Sequence, residues 1–189
     1  IIILQVGVIY YFFNRSKKQA KLKADRLAAE ADNTYEGLRS LALSVTPDRL
    51  KIAIPNSETL VYGVVMDWDM GDAVVTLASF ITGACSMYYS MGGGIIGGGK
   101  KPGVAEATVT FVTAAQEYLD KTIPVTTTEL PAKHAVRFYL LTNQRMYMAE
   151  EQMGNFDNVS SPWFPLFELA NMVIAGLRED ENKSSTVSN

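Results

Sequence analysis

Apolar residues recur along the chain with two different periods, which predict helices and strands in alternation. Apolar positions at helical spacing mark one face of a helix at about 38–45, 104–119 and 166–177. Pro102 suits the first turn of the second helix, because a backbone N–H has no intrahelical partner there. The helical pattern therefore predicts three helices that each bury one apolar face.

Runs of β-branched and aromatic residues predict strands between these helices. Three runs cover 60–67, 73–80 and 84–90, and two later runs cover 135–141 and 145–149. The intervening turns are short, so neighbouring strands are expected to be antiparallel, first as a meander and then as a hairpin. The element order predicts an α+β domain, with helices packed on an antiparallel sheet of about five strands.

The N-terminal segment, residues 1–13, reads IIILQVGVIYYFF and carries no charge, and cations follow it directly. A helix of this length covers about 20 Å, whereas a bilayer core needs about 20 residues. We therefore interpret it as the C-terminal part of a transmembrane helix. The flanking cations predict a single-pass anchor with the domain in the cytoplasm. A cleaved signal peptide or a short buried helix is less favoured, because the cations follow the apolar run.

Charge is distributed unevenly along the rest of the chain. The net charge is −3, yet residues 15–26 hold six cations and one acid, so the remainder is acidic. We interpret residues 14–33 as a basic helical stalk, 34–178 as a single α+β domain and 179–189 as a disordered polar tail. An acidic domain argues against nucleic-acid binding, since phosphate neutralisation supplies most of that affinity.

Residues suited to catalysis or metal binding are sparse. Cys85 and His134 are the only cysteine and histidine, which excludes an intrachain disulfide and a Cys/His zinc site. A nucleophilic pair of these two residues is less favoured than a buried thiol and a structural histidine. Asp67, Asp69 and Asp72 are interpreted as an Asp-rich turn, because the glutamate of a calcium loop is missing. The sequence favours a non-enzymatic protein without a cofactor.

The most unusual stretch combines six glycines with two lysines, preceded by two tyrosines. Its residues are Tyr88, Tyr89, Gly92, Gly93, Gly94, Gly97, Gly98, Gly99, Lys100 and Lys101. The spacing matches a dinucleotide fingerprint and most of a phosphate loop, and amides at a helix start suit an anion. Against this, polyglycine matches such patterns trivially, and Lys101 replaces the hydroxyl that binds magnesium. The preceding strands also lack the expected parallel arrangement.

Three interpretations of this glycine-rich stretch therefore stay open. It is a turn that lets the chain pass closely under another element, a loop that contacts a protein partner, or an anion site. Strand alternation is expected to send one of Tyr88 and Tyr89 outward, and exposed aromatic rings beside such a loop suit partner binding.

Three segments carry a resemblance to a known family. They are SMYYSMGGGIIGGG, VRFYLLT and SPWFPLF. They resemble a family of uncharacterised bacterial proteins with a pattern like SLYFS-x-GGG-x-IG-x-G, VRFYLLT and SPLF. The resemblance spans about Leu38 to Leu177 and implies a bacterial origin, but no activity. The element order is also similar to profilin-like and roadblock-type domains, a likeness of fold that mildly favours protein binding.

These patterns together favour a membrane-anchored, cytoplasmic protein-interaction module at the inner membrane. Its protein partner is unknown, and the Tyr88–Lys101 stretch is the expected contact. The alternative is a nucleotide- or phosphate-binding protein that uses the loop from Gly92 to Lys101.

Overall fold

The computed structural model describes residues 33–55, 57–157 and 161–186, with side chains of the last helix described to residue 179. The predicted transmembrane segment (1–13) and all but the last residue of the predicted stalk (14–33) lie outside the described residues. Within the described ranges, no helix has both the length and the apolar character needed to cross a bilayer.

The described residues form an α+β domain, as the sequence predicts. The helices are α1 (Tyr35–Leu43), α2 (Pro47–Leu50), α3 (Pro102–Ala115), α4 (Met153–Asp157) and α5 (Phe164–Thr186), with 3-10 turns at Gly98–Lys100 and Gln116–Lys121. The strands are β1 (Val61–Asp69), β2 (Val74–Phe80), β3 (Cys85–Tyr89), β4 (Gly94–Ile96), β5 (Ile123–Val125), β6 (Ala135–Thr142) and β7 (Met146–Gln152). The sequence predicts a disordered tail from residue 179, whereas helix α5 continues to Thr186.

All seven strands form one antiparallel sheet in the order β4-β3-β2-β1-β6-β7-β5. The predicted meander and hairpin are present, but the predicted count of about five strands is wrong. The two additional strands are β4 and β5, each three residues long and each at one edge. Neither has a run of strand-forming residues, so pairing with β3 and β7 creates them rather than local propensity.

Both faces of the sheet are covered. Helices α3 and α5 pack on one face, where Phe111, Phe138 and Leu166 are fully buried. Helix α1 and the chain that follows it cover the other face, around Val65 and Tyr139. Because both faces are covered, β2 is buried at every position and does not alternate between apolar and polar residues.

A buried ion pair holds α1 to the centre of the sheet. Asp67 lies in the second half of β1, fully buried, and its Oδ2 accepts hydrogen bonds from Arg39 Nε at 2.9 Å and Nη2 at 2.6 Å. Thr76 Oγ1 donates to the other carboxylate oxygen at 2.5 Å. Arg39 also donates to the carbonyl oxygens of Thr128 and Glu129, at 2.8 and 3.2 Å. One guanidinium therefore joins α1, β1 and the segment before β6.

This pair corrects one interpretation from the sequence, which assigned Asp67 to an Asp-rich turn. Only the later aspartates lie near the β1–β2 turn. Asp69 Oδ1 accepts from the backbone N–H of Gly71 and of His134, both at 2.9 Å. These hydrogen bonds, the one from His134 foremost, lower the pKa of Asp69.

Replacing Arg39 with methionine should destabilise the protein strongly, because it leaves the Asp67 carboxylate buried without its partner. Removing one member of a buried pair typically costs about 3–5 kcal/mol. Urea unfolding of Arg39→Met would measure this loss, with the exposed Arg49→Met as the control, expected within about 0.5 kcal/mol of wild type. Equal stability of the two variants would contradict the structural role assigned to the pair.

Candidate functional site

The first glycines of the run form the turn between β3 and β4. Gly92 and Gly93 have φ angles of 100° and 82°, in the left-handed region that favours glycine. The Gly92 N–H donates to the Tyr89 carbonyl at 2.9 Å, and the Tyr89 N–H donates to the Gly93 carbonyl at 3.2 Å. The two glycines therefore close a tight hairpin, which we call the glycine hairpin (residues 88–97).

The middle of the run is strand β4, where the sequence predicts a loop. Gly94, Ile95 and Ile96 lie opposite Tyr88, Met87 and Ser86. Tyr89 and Gly93 are a hydrogen-bonded pair. Such pairs alternate with non-hydrogen-bonded pairs along two antiparallel strands, so the next hydrogen-bonded pair is Met87 and Ile95. The backbone groups of Gly94 and Ile96 consequently point away from β3, towards an edge that pairs with no further strand among the described residues, which we call the free edge.

The last glycines of the run pack against the rest of the domain. A Cβ at Gly98 would overlap Leu177 Cδ2, and a Cβ at Gly99 would overlap the Gly83 carbonyl oxygen. Gly97, between β4 and this contact, has a φ of 75°. This geometry agrees with the interpretation that the chain passes closely under another element.

The two lysines follow without forming a phosphate loop. The Lys100 and Lys101 amides donate to the carbonyls of Gly97 and Gly98, both at 3.4 Å. Helix α3 then begins with Pro102, which has no amide hydrogen. The nucleotide-binding alternative gains no support from the helix start, because the Lys100 and Lys101 amides there bond to the chain itself and Pro102 offers none.

Neither tyrosine of the stretch stands free of the domain. Tyr88 is buried against α1, and burial raises its pKa. Tyr89 is half-buried against the core under α3 and α5, and its hydroxyl lies 3.8 Å from Met87 Sδ. The predicted alternation is present, but it exposes neither ring fully, because the sheet is covered on both faces.

Two apolar side chains of the glycine hairpin are exposed instead. Met91 is 79% exposed and Ile96 is 69% exposed. Both lie outside the set of site residues predicted from the sequence. If residues 94–96 are taken as a strand, alternation puts Ile96 on the same face as Gly94. That pattern is the sequence signal that could have added Ile96 to the predicted site residues.

An open cleft lies between the glycine hairpin and the start of α1, with a volume of about 310 Å³. Its walls include Tyr35, Leu38, Tyr88, Gly94 and Ile96. The Tyr35 hydroxyl lies 2.9 Å from Thr76 Oγ1, which in turn bonds Asp67. Thus the buried ion pair of β1 also fixes one wall of the cleft, and burial raises the pKa of the Tyr35 hydroxyl.

The two other candidates, Cys85 and His134, are kept apart. Cys85 lies buried in β3, where desolvation raises the pKa of its thiol, while His134 lies against Gly71 at the start of β6. Strands β2 and β1 separate β3 from β6. Among the residues that the structure describes, no group of three or more His, Cys, Asp or Glu side chains could hold a metal ion.

Comparisons with known proteins give no family for this chain. No protein-family model, curated protein or solved structure matches it. The resemblance to uncharacterised bacterial proteins stays a prediction, and the function must be argued from the geometry of the glycine hairpin and the cleft.

Substituting Gly99 with alanine should destabilise the domain, whereas the same change at Gly103 should not. The added methyl at position 99 meets backbone that cannot move aside, and overpacking of this kind costs about 1–3 kcal/mol. Gly103 lies in α3 with open space around it, so alanine should be neutral or stabilise by up to about 1 kcal/mol. Chemical denaturation of both variants checks the pair, and an unaffected Gly99→Ala would contradict the packing role.

Proposed function

We propose that this chain is a non-enzymatic protein-interaction module, anchored at the inner membrane with its domain in the cytoplasm, and that the glycine hairpin binds its partner. The observation that carries this proposal is the edge strand β4. Its outward N–H and C=O groups lie beside the exposed side chains of Met91 and Ile96. An edge of this kind is a template for another strand.

The contrast between the two edges of the sheet supports the proposal. Proteins usually protect an exposed edge strand with proline, charge or a bulge. Strand β5, at the far edge, has Pro124 as its central residue. Strand β4 has neither proline nor charge, and glycines on both sides leave its backbone accessible to an approaching chain.

The cleft gives the same edge a place for a side chain. It opens beside Gly94 and Ile96, on the face of the sheet that α1 covers. In strand addition, main-chain hydrogen bonds supply affinity and pockets for alternate side chains supply specificity. The free edge and the adjacent cleft together provide both elements of such a binding site.

The anchor is supported by the uncharged segment 1–13 and by the cations that follow it. A positively charged flank also attracts anionic lipid headgroups, by about 1 kcal/mol for each cation near the surface. The membrane would keep the domain close to other membrane-bound proteins, which raises the effective concentration of a partner.

Deleting residues 1–13 should move the protein from the membrane fraction to the supernatant. The full chain should stay with the membrane through an alkaline carbonate wash, because burial of the apolar segment does not depend on charge. A control that replaces the cations of 15–26 with glutamine should remain in the membrane fraction. A full chain that the wash extracts would contradict the anchor.

A photoreactive phenylalanine analogue at position 96 should crosslink a protein partner in intact cells, because that side chain lies on the free edge of β4. The matched control is position 123, an isoleucine that is 59% exposed on the opposite edge strand. We expect discrete adducts at 96 and none at 123. The same adducts at both positions, or none at 96, would contradict the proposed contact surface.

A further inference from the structure

The free edge of β4 is complementary to itself. Two copies of a strand related by a two-fold axis perpendicular to the sheet run antiparallel, which is the pairing used throughout this sheet. If the axis passes through Ile95, Gly94 of each copy lies opposite Ile96 of the other. The outward N–H and C=O groups of these residues then bond each other across the axis.

The side chains fit this pairing as well as the backbone does. Gly94 and Ile96 lie opposite Tyr88 and Ser86, so they share the face of the sheet on which Tyr88 contacts the core around α1. In the paired arrangement, Ile96 of the second copy would lie beside Gly94, where a Cβ would overlap the Met87 carbonyl oxygen, so only glycine fits at this position. That position is the cleft, whose volume of about 310 Å³ exceeds an isoleucine side chain.

We propose that the partner bound by β4 is a second copy of this chain, paired antiparallel about Ile95, with Ile96 of each copy in the cleft of the other. This inference rests on the proposed interaction function and names the partner of the same site. The paired sheets would then form one continuous sheet of fourteen strands, from two copies of seven.

The charges around the edge do not oppose such a pairing. The stretch from residue 86 to residue 99 contains no charged side chain. Lys100 follows β4, so antiparallel pairing puts this residue of the two copies at opposite ends of the paired strands. Like charges directly opposite each other destabilise a strand pair. In this arrangement the two lysines do not meet across the axis.

The contact between the two strands is small, so we expect the pairing at the membrane rather than in solution. Strand β4 has three residues, so the pair buries much less than the roughly 1,200–2,000 Å² of a stable interface. The free domain should therefore associate weakly in solution. A shared membrane anchor raises the effective concentration of the second copy, which makes a weak two-fold contact sufficient.

A disulfide formed across the axis tests the register directly in the full chain, in isolated membranes under mild oxidation. Ile95→Cys puts two thiols at a non-hydrogen-bonded pair, whose Cα atoms are about 4.5 Å apart, within disulfide range. Wild type should not crosslink, because its single cysteine is buried. Met91→Cys is the control, since residue 91 is more exposed but lies far from the axis at the turn.

A second variant separates this pairing from accidental crosslinking. Ile96→Asp in the Ile95→Cys background should reduce the disulfide dimer about tenfold or more, since a carboxylate would enter the apolar cleft of the second copy. Ile123→Asp in the same background should leave the dimer unchanged, because it lies on the opposite edge. Ile96 is 69% exposed, so its replacement should spare the fold.

Equal crosslinking of Ile95→Cys and Met91→Cys, or a dimer that Ile96→Asp leaves intact, would overturn this inference. So would the absence of an Ile95→Cys dimer. If that dimer is absent while position 96 still photocrosslinks a different protein, the second copy is excluded and the proposed function stands. If position 96 crosslinks no protein at all, both fail.

Discussion

The ion pair between Arg39 and Asp67 is the interaction on which the arrangement of the domain depends. A carboxylate taken fully out of water costs several kcal/mol unless its charge and its lone pairs are satisfied. Both conditions are met here, because Arg39 and Thr76 together bond the two carboxylate oxygens. The same guanidinium bonds the segment before β6, so α1 can cover only this part of the sheet.

The position of α1 determines which surfaces of the sheet a partner could contact. With α1 on one face and α3 and α5 on the other, the central strands have no face left for a partner. In the part of the chain that the structure describes, the sheet leaves its two edges accessible, and proline protects one of them. The other edge borders the cleft that α1 forms with the glycine hairpin. A polar contact in the central strand thus helps to position the cleft beside the edge that we propose as the binding edge, without taking part in it.

How far the sequence predicts this fold depends on the kind of signal each element carries. The faces of α3 and α5 follow from apolar periodicity, and the meander and the β6–β7 hairpin follow from runs of β-branched and aromatic residues joined by short turns. Strands β4 and β5 do not, because three residues are too few to show a period and their conformation comes from pairing. The sequence does not predict the burial of Asp67 either, since its partner, Arg39, is distant in sequence and charge alone suggests a surface turn.

The glycine-rich stretch stands out in the sequence, but its glycines serve different purposes that spacing cannot separate. Gly92 and Gly93 close a turn, whereas Gly98 and Gly99 allow close packing on the domain. Strand β4 lies between these two restraints, which hold it in an extended conformation before any partner arrives. A preformed edge loses little entropy on binding, whereas a mobile loop would have to be ordered first. This favours the proposed strand pairing over a flexible contact.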